Sequence, residues 1–145
     1  MGILDRITRL LKANVNELIS KAEDPKLIIE QAIRDMRSAY QDAREEVAEA
    51  IAQQNKLERE RDLNRQRTEE YDGKARDALK MNREDLAREA LNRKKNFEQV
   101  AAGFDQQVAQ NNHIIEELKS QLYALERKIS EMETQKELLQ ARQQT

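Results

Sequence analysis

From Ile29 the apolar residues recur at alternating steps of four and three: Ile29, Ile33, Met36, Tyr40, Ala43, Val47 and Ala50. A side chain repeated every 3.5 residues makes a stripe that turns slowly around a helix, and only a second helix wound beside it covers that stripe. The same steps continue through Gln54, Leu57, Arg61, Asn64, Thr68, Tyr71, Ala75 and Ala78, so the register survives a polar middle. A second ladder of the same rhythm runs Ala87, Ala90, Lys94, Phe97, Ala101, Phe104, Val108, Asn111, Ile115, Leu118, Leu122, Leu125, Ile129, Met132, Lys136 and Leu139. The chain therefore carries its own partner helix.

Between the ladders lies Asn82-Arg83-Glu84-Asp85. Asn82 suits the end of one helix, and the carboxylates suit the first turn of the next. The expected fold is all-α: a long antiparallel helical hairpin, a coiled coil, with a first arm over 25–81, a tip at 82–85 and a second arm over 86–143. Folding at the tip lays 29–51 beside 115–139, so that Ile29, Ile33, Met36, Tyr40 and Val47 meet Ile115, Leu118, Leu122, Leu125, Ile129 and Met132 in the hairpin seam. At 1.5 Å per residue each arm makes a thin rod of roughly 85 Å. Gln54, Arg61, Asn64 and Thr68 occupy seam positions in the tip half, where polar residues set register at a cost in stability.

Composition leaves few other options. With 37% charged residues, three glycines, one proline and 3% aromatics, there is little from which to build a globular core. Abundant Ala, Leu, Glu, Gln, Lys and Arg, together with the sustained register, argue for helix over disorder. The balance of 26 basic against 28 acidic residues creates no field that attracts nucleic acid. Cysteine is absent, which excludes disulfides and thiolate metal sites. The single histidine, His113, stands off the seam near Glu116 and Glu117 and reads as surface, not as a metal ligand. No phosphate-cradling glycine loop, nucleophile paired with histidine or carboxylate pair in a cavity is apparent, so the expectation is no enzyme, no catalytic residue, no metal and no cofactor. No stretch reaches the ~20 apolar residues of a membrane span. Whatever touches a membrane here lies on it.

Residues 1–22 differ from the rest. Ile3, Leu4, Ile7, Leu10, Leu11, Val15, Leu18 and Ile19 gather on one side of a helix, while Arg6, Arg9 and Lys12 hold the other. Four basic residues against two acidic give 2–21 a formal +2, which leaves the remainder at −4 within a whole-chain charge of −2. A basic amphipathic helix on an otherwise acidic chain suits an anionic membrane surface. Packing against the hairpin or another subunit would use the same large aliphatics. The width of the apolar face and its place outside both ladders favour lipid, with Ile3, Leu4, Arg6, Ile7, Arg9, Leu10, Leu11, Lys12, Val15, Leu18 and Ile19 as the membrane-binding set. An aromatic anchor is missing, and Arg6 breaks the myristoylation pattern. A single copy should bind weakly and many copies cooperatively, so a membrane function implies self-assembly. The joint at 23–25 contains Asp24, a capping residue, and Pro25, suited to a first helical turn; it lets the leading helix swing independently.

Two further patterns fall outside the seam. Arg88, Arg93, Lys94 and Lys95 form a basic cluster near the tip, better suited to an acidic contact between subunits than to phosphate. Leu27, Ile28, Ala32, Ala39, Ile51, Leu63, Ile114 and Tyr123 make a second stripe that lateral packing of hairpins would cover.

The opening Met1-Gly2-Ile3-Leu4, the joint Lys21-Ala22-Glu23-Asp24-Pro25, the tip Arg83-Glu84-Asp85-Leu86-Ala87-Arg88-Glu89-Ala90-Leu91 and the closing Leu139-Gln140-Ala141-Arg142 together resemble the family of phage-shock protein A and the vesicle-inducing protein in plastids, within the ESCRT-III superfamily. The resemblance implies a homo-oligomer forming rods or rings. It implies a protein peripheral on the cytoplasmic face of a bacterial inner membrane, or on the thylakoid membrane, that remodels, stabilises or repairs stressed membrane. Some members instead bind and inhibit an AAA+ transcriptional activator through the hairpin arms, which is the alternative function. The family often has Phe where this chain has Leu4, and its members continue into further helices, so a chain stopping at Thr145 is expected to be an incomplete member.

Overall fold

The computed structural model describes residues 2–143; Met1, counted above with the amphipathic segment and the opening motif, lies outside them. Four helices follow one another: α1 (Ile3–Lys12), α2 (Val15–Lys21), α3 (Pro25–Lys80) and α4 (Glu84–Gln143). The described residues contain no strand. The long helices α3 and α4 pack against each other as a hairpin.

The helix ends have local causes. Asp24 Oδ1 accepts from the Leu27 amide at 3.4 Å, and Pro25 occupies the first position of α3, where its missing N–H costs nothing. At the other end Asn82 takes a left-handed φ of 56°. The Arg83 amide then reaches back to the Ala78 carbonyl at 2.8 Å and the Asn82 amide to that of Leu79 at 3.1 Å. This pair of bonds is a Schellman termination, in which asparagine adopts the left-handed conformation that most side chains resist. Glu84 and Asp85 lie in the first turn of α4, where carboxylates oppose the helix dipole. The connection between the arms is thus shorter than the four residues 82–85, because α4 already begins at Glu84.

Contacts divide the chain into two units, the first built from residues up to Glu49 and from Ile115 onward, the second from Ala50–Ile114. In the first, Ile29, Ile33, Met36, Ala39 and Ala43 of α3 form one buried cluster with Leu118, Leu125 and Met132 of α4. Tyr40, Val47, Leu122 and Ile129 are half-buried against it, and Ile115 is buried. Ile3, Ile7 and Val15, from the leading helices, belong to the same cluster.

The second unit is held differently. Its buried apolar residues are Leu57 and the small Ala75, Ala78, Ala87, Ala90 and Ala101, which let two backbones approach closely. Polar bridges cross between the arms. Asn111 donates to the Ala50 carbonyl at 2.8 Å and to Gln54 at 3.0 Å, Arg61 and Arg65 both reach Asp105, and Lys94 meets Asp72 at 2.9 Å. The Tyr71 and Phe97 rings stack with centroids 5.5 Å apart. Asn64 is buried and donates to the Glu60 carbonyl of its own helix at 2.8 Å.

Candidate functional site: the leading helices docked on the hairpin

Of the two destinations open to the leading apolar face, lipid or the hairpin, the structure shows it on the hairpin, and the expected single leading helix is corrected to two. The helix is broken. Ala13 adopts an extended conformation at the end of α1, and Asn14 caps α2 by accepting from the Glu17 amide at 3.2 Å. A short polar side chain that can replace a backbone partner makes this the place where a helix stops and restarts.

The apolar side is also covered. Ile7 is fully buried, Ile3 and Val15 are buried, and Leu4, Leu10, Leu11, Ala13 and Ile19 are half-buried against the same cluster. What makes room is on α3. Ala39 lies off the hairpin seam, yet it is 0% exposed, as is Ala43 one turn on. Beside these methyl groups stand Ser38 and Asp42. The Arg6 guanidinium donates to Asp42 at 2.7 Å and to Ser38 Oγ at 3.1 Å, which ties this turn of α1 to the stretch of α3 that carries Ala39. Ala39 and Ala43 belong to the same buried cluster as Ile3 and Ile7, and small side chains one turn apart let a neighbouring helix approach closely.

The other end is held by α4. Lys128 Nζ donates to the carbonyls of Leu11 at 2.7 Å and Ala13 at 3.0 Å. These oxygens sit at the end of α1, where the last turn has no amide to offer and the dipole is negative, so an ammonium group is well placed there. Gln135 donates to Asn16 Oδ1 at 2.8 Å and fastens the start of α2.

Basic and acidic residues face each other at the edge of this contact. Gly2, Ile3, Arg6 and Arg9 line one side of an open groove whose other side is Asp42, Glu45, Glu46 and Glu49. Those four acids are spaced i, i+3, i+4 and i+7, one face of α3. That spacing was visible in the sequence and was the available signal for a partner of the basic helix. Ser38, Lys128 and Gln135 carried no such signal. Of the remaining leading residues, Arg9 and Lys12 are exposed and Leu18 is 57% exposed. Asp24 and Pro25 stand at the joint, where residues 22–24 separate α2 from α3.

In the second unit the basic cluster near the tip is partly engaged within the chain. Lys94 bridges Asp72 and Glu98, while Arg93 reaches Glu89 and the Tyr71 hydroxyl. Hydrogen bonding to Lys94 holds the Asp72 carboxyl below the usual carboxylate range, and the same bond raises the Lys94 ammonium. Tyr123, Leu27, Leu63, Ile114 and Ile51 are exposed. Among the described residues no cluster of His, Cys, Asp and Glu has metal-binding geometry, and no helix is long and apolar enough to cross a membrane.

Comparison with known proteins supplies a context for this arrangement. A model of the PspA/IM30 family matches residues 2–145. The chain is 58% identical to a phage shock protein A homolog of Deinococcus radiodurans over its whole length, which is 65% of that protein. It is 43% identical to the membrane-associated protein Vipp1 of Synechocystis over 98% of the chain and 53% of the relative. It is 33% identical to protein LiaH of Bacillus subtilis over 97% of the chain and 62% of the relative. The chain thus spans between about half and two thirds of these relatives' length.

Proposed function

This chain belongs to the PspA/IM30 family, and we propose that it is the membrane-binding, hairpin-forming part of a self-assembling protein that remodels, stabilises or repairs stressed bacterial or thylakoid membrane. The observation that carries the reading is a basic amphipathic segment tied to the hairpin through only three non-helical residues, 22–24. Released from the groove, α1 and α2 present Ile3, Ile7, Leu10, Leu11, Val15, Leu18 and Ile19 to the acyl boundary and Arg6, Arg9 and Lys12 to anionic headgroups. No helix among the described residues is long and apolar enough to cross a membrane; association on this reading is peripheral, and the face proposed for it is the cytoplasmic one. A relative named a membrane-associated protein supports it.

Self-association rests on apolar side chains that the single hairpin leaves in water. Leu27, Ile51, Leu63, Ile114 and Tyr123 are 40–67% exposed, and a second hairpin laid alongside would cover them. Assembly in turn multiplies weak single-copy binding through effective concentration. The test is sedimentation with vesicles rich in phosphatidylglycerol, comparing the chain with one lacking residues 1–22. The shortened chain should stay in the supernatant while its circular dichroism remains helical. Equal sedimentation of the two would refute the reading.

A further inference from the structure

We propose that the docked leading segment is a latch with two polar clasps, Arg6 on Asp42 and Lys128 on the last carbonyls of α1, and that an anionic surface opens it by competing for the basic side chains. The inference rests on the membrane reading above and adds its regulation. Burial of the Ile and Leu side chains is available in either place, in the groove or in a bilayer, so apolar contact discriminates weakly between the two. The polar contacts differ. In the docked state Arg6 is paired with Asp42 and Ser38, and Arg9 shares a groove with Glu45, Glu46 and Glu49. On a membrane the same guanidinium groups meet phosphates, which they bind in the bidentate manner that suits them to carboxylates. The acidic face of α3 is therefore an internal substitute for a headgroup layer.

The second clasp sets the shape of the segment. Ile3, Leu4, Ile7, Leu10, Leu11, Val15, Leu18 and Ile19 share one face only if residues 3–21 form a single helix. In the docked state the helix is interrupted at Ala13 and Asn14, with Lys128 holding the carbonyls on the α1 side of the break, and Leu18 is left 57% exposed. The sequence is patterned for a straight helix, and the fold holds a bent one. Undocking removes Lys128 from those oxygens and allows the ordinary helical bonds to run through the break. The continuous form then uses Leu18, which the docked form leaves out. Two packings of the same segment, each satisfied by different partners, make the bistable element that a switch needs.

The experiment reads the latch with and without lipid. Asp42→Ala combined with Lys128→Met removes both clasps while leaving the hairpin seam intact, and helical content by circular dichroism checks that the arms persist. Without vesicles, amide hydrogen exchange across 3–21 should accelerate by roughly tenfold, the change in open fraction that loss of two such partly exposed contacts produces. Binding to phosphatidylglycerol vesicles should tighten by a similar factor, because the docked population no longer taxes it. The swap Arg6→Asp with Asp42→Arg, which rebuilds the pair in reverse, should keep exchange near the parent rate yet weaken vesicle binding, because the guanidinium that meets the phosphates has left the leading segment. Unchanged exchange in the double variant overturns the latch, whatever the vesicles show. Faster exchange with no gain in vesicle binding keeps the clasps but overturns their control of a membrane site.

Discussion

Among the described residues of the leading segment Ile7 is the one with no exposed surface, and replacing it with alanine separates docking from folding. Truncating a fully buried isoleucine to alanine costs about 2–5 kcal/mol when the surroundings cannot collapse. In α1 the cost has a ceiling, because the segment can leave the groove instead of unfolding the hairpin with it. The buried Ile3, Ile7 and Val15 contribute roughly 1.5–3 kcal/mol each, offset by ordering of the segment. Losing about 2 kcal/mol from that sum multiplies the undocked population by roughly 30, at 1.4 kcal/mol per tenfold. Leu125 is equally buried but belongs to α4. Ile7→Ala should therefore speed exchange of amides 3–21 by about 30-fold or more while moving the thermal midpoint of helix loss little, whereas Leu125→Ala should lower that midpoint outright. A melting shift for Ile7→Ala as large as that for Leu125→Ala would show that α1 is integral to the hairpin. Unchanged exchange would show that Ile7 does not hold the segment.

Asn82→Val should lower the stability of the hairpin by about 1–2 kcal/mol, since a β-branched residue resists the φ of 56° observed there; denaturant midpoints measure it, and Asn82→Gly should show no such loss. The Lys94–Asp72 bridge gives a pH signature. Asp72 titrates lower when folded than when unfolded, so its contribution is complete above the ordinary carboxylate range and is lost as pH falls through the depressed value. Lys94→Gln should flatten that acid limb of the stability curve without changing its sense, and an unaltered limb would show that the bridge is not formed in solution.

The hairpin was legible because its cause is local. A residue every 3.5 positions requires a helix and a neighbour whatever else the chain does, and two ladders separated by Asn82 and two carboxylates leave few ways to fold. The polar second half was readable for the same reason, since Asn64 and Asn111 keep the spacing even though neither is apolar. What composition could not supply was the way that half is braced, by small alanines and by side chains such as Arg65 and Asp105 that lie 40 residues apart.

The leading segment marks the limit. Its amphipathic pattern is a property of the sequence, but Ile and Leu lose the same water in a bilayer and in a protein groove, so periodicity is blind to the destination. Tertiary structure decided it through long-range contacts: Arg6 on Asp42, 36 residues away in an acidic face whose spacing could be read, and Lys128 on Leu11, 117 away, which no spacing announces. The break at Ala13 belongs with these, because it coincides with carbonyls that a distant ammonium group satisfies. Local sequence determines which face of a helix must be covered; long-range geometry determines what covers it.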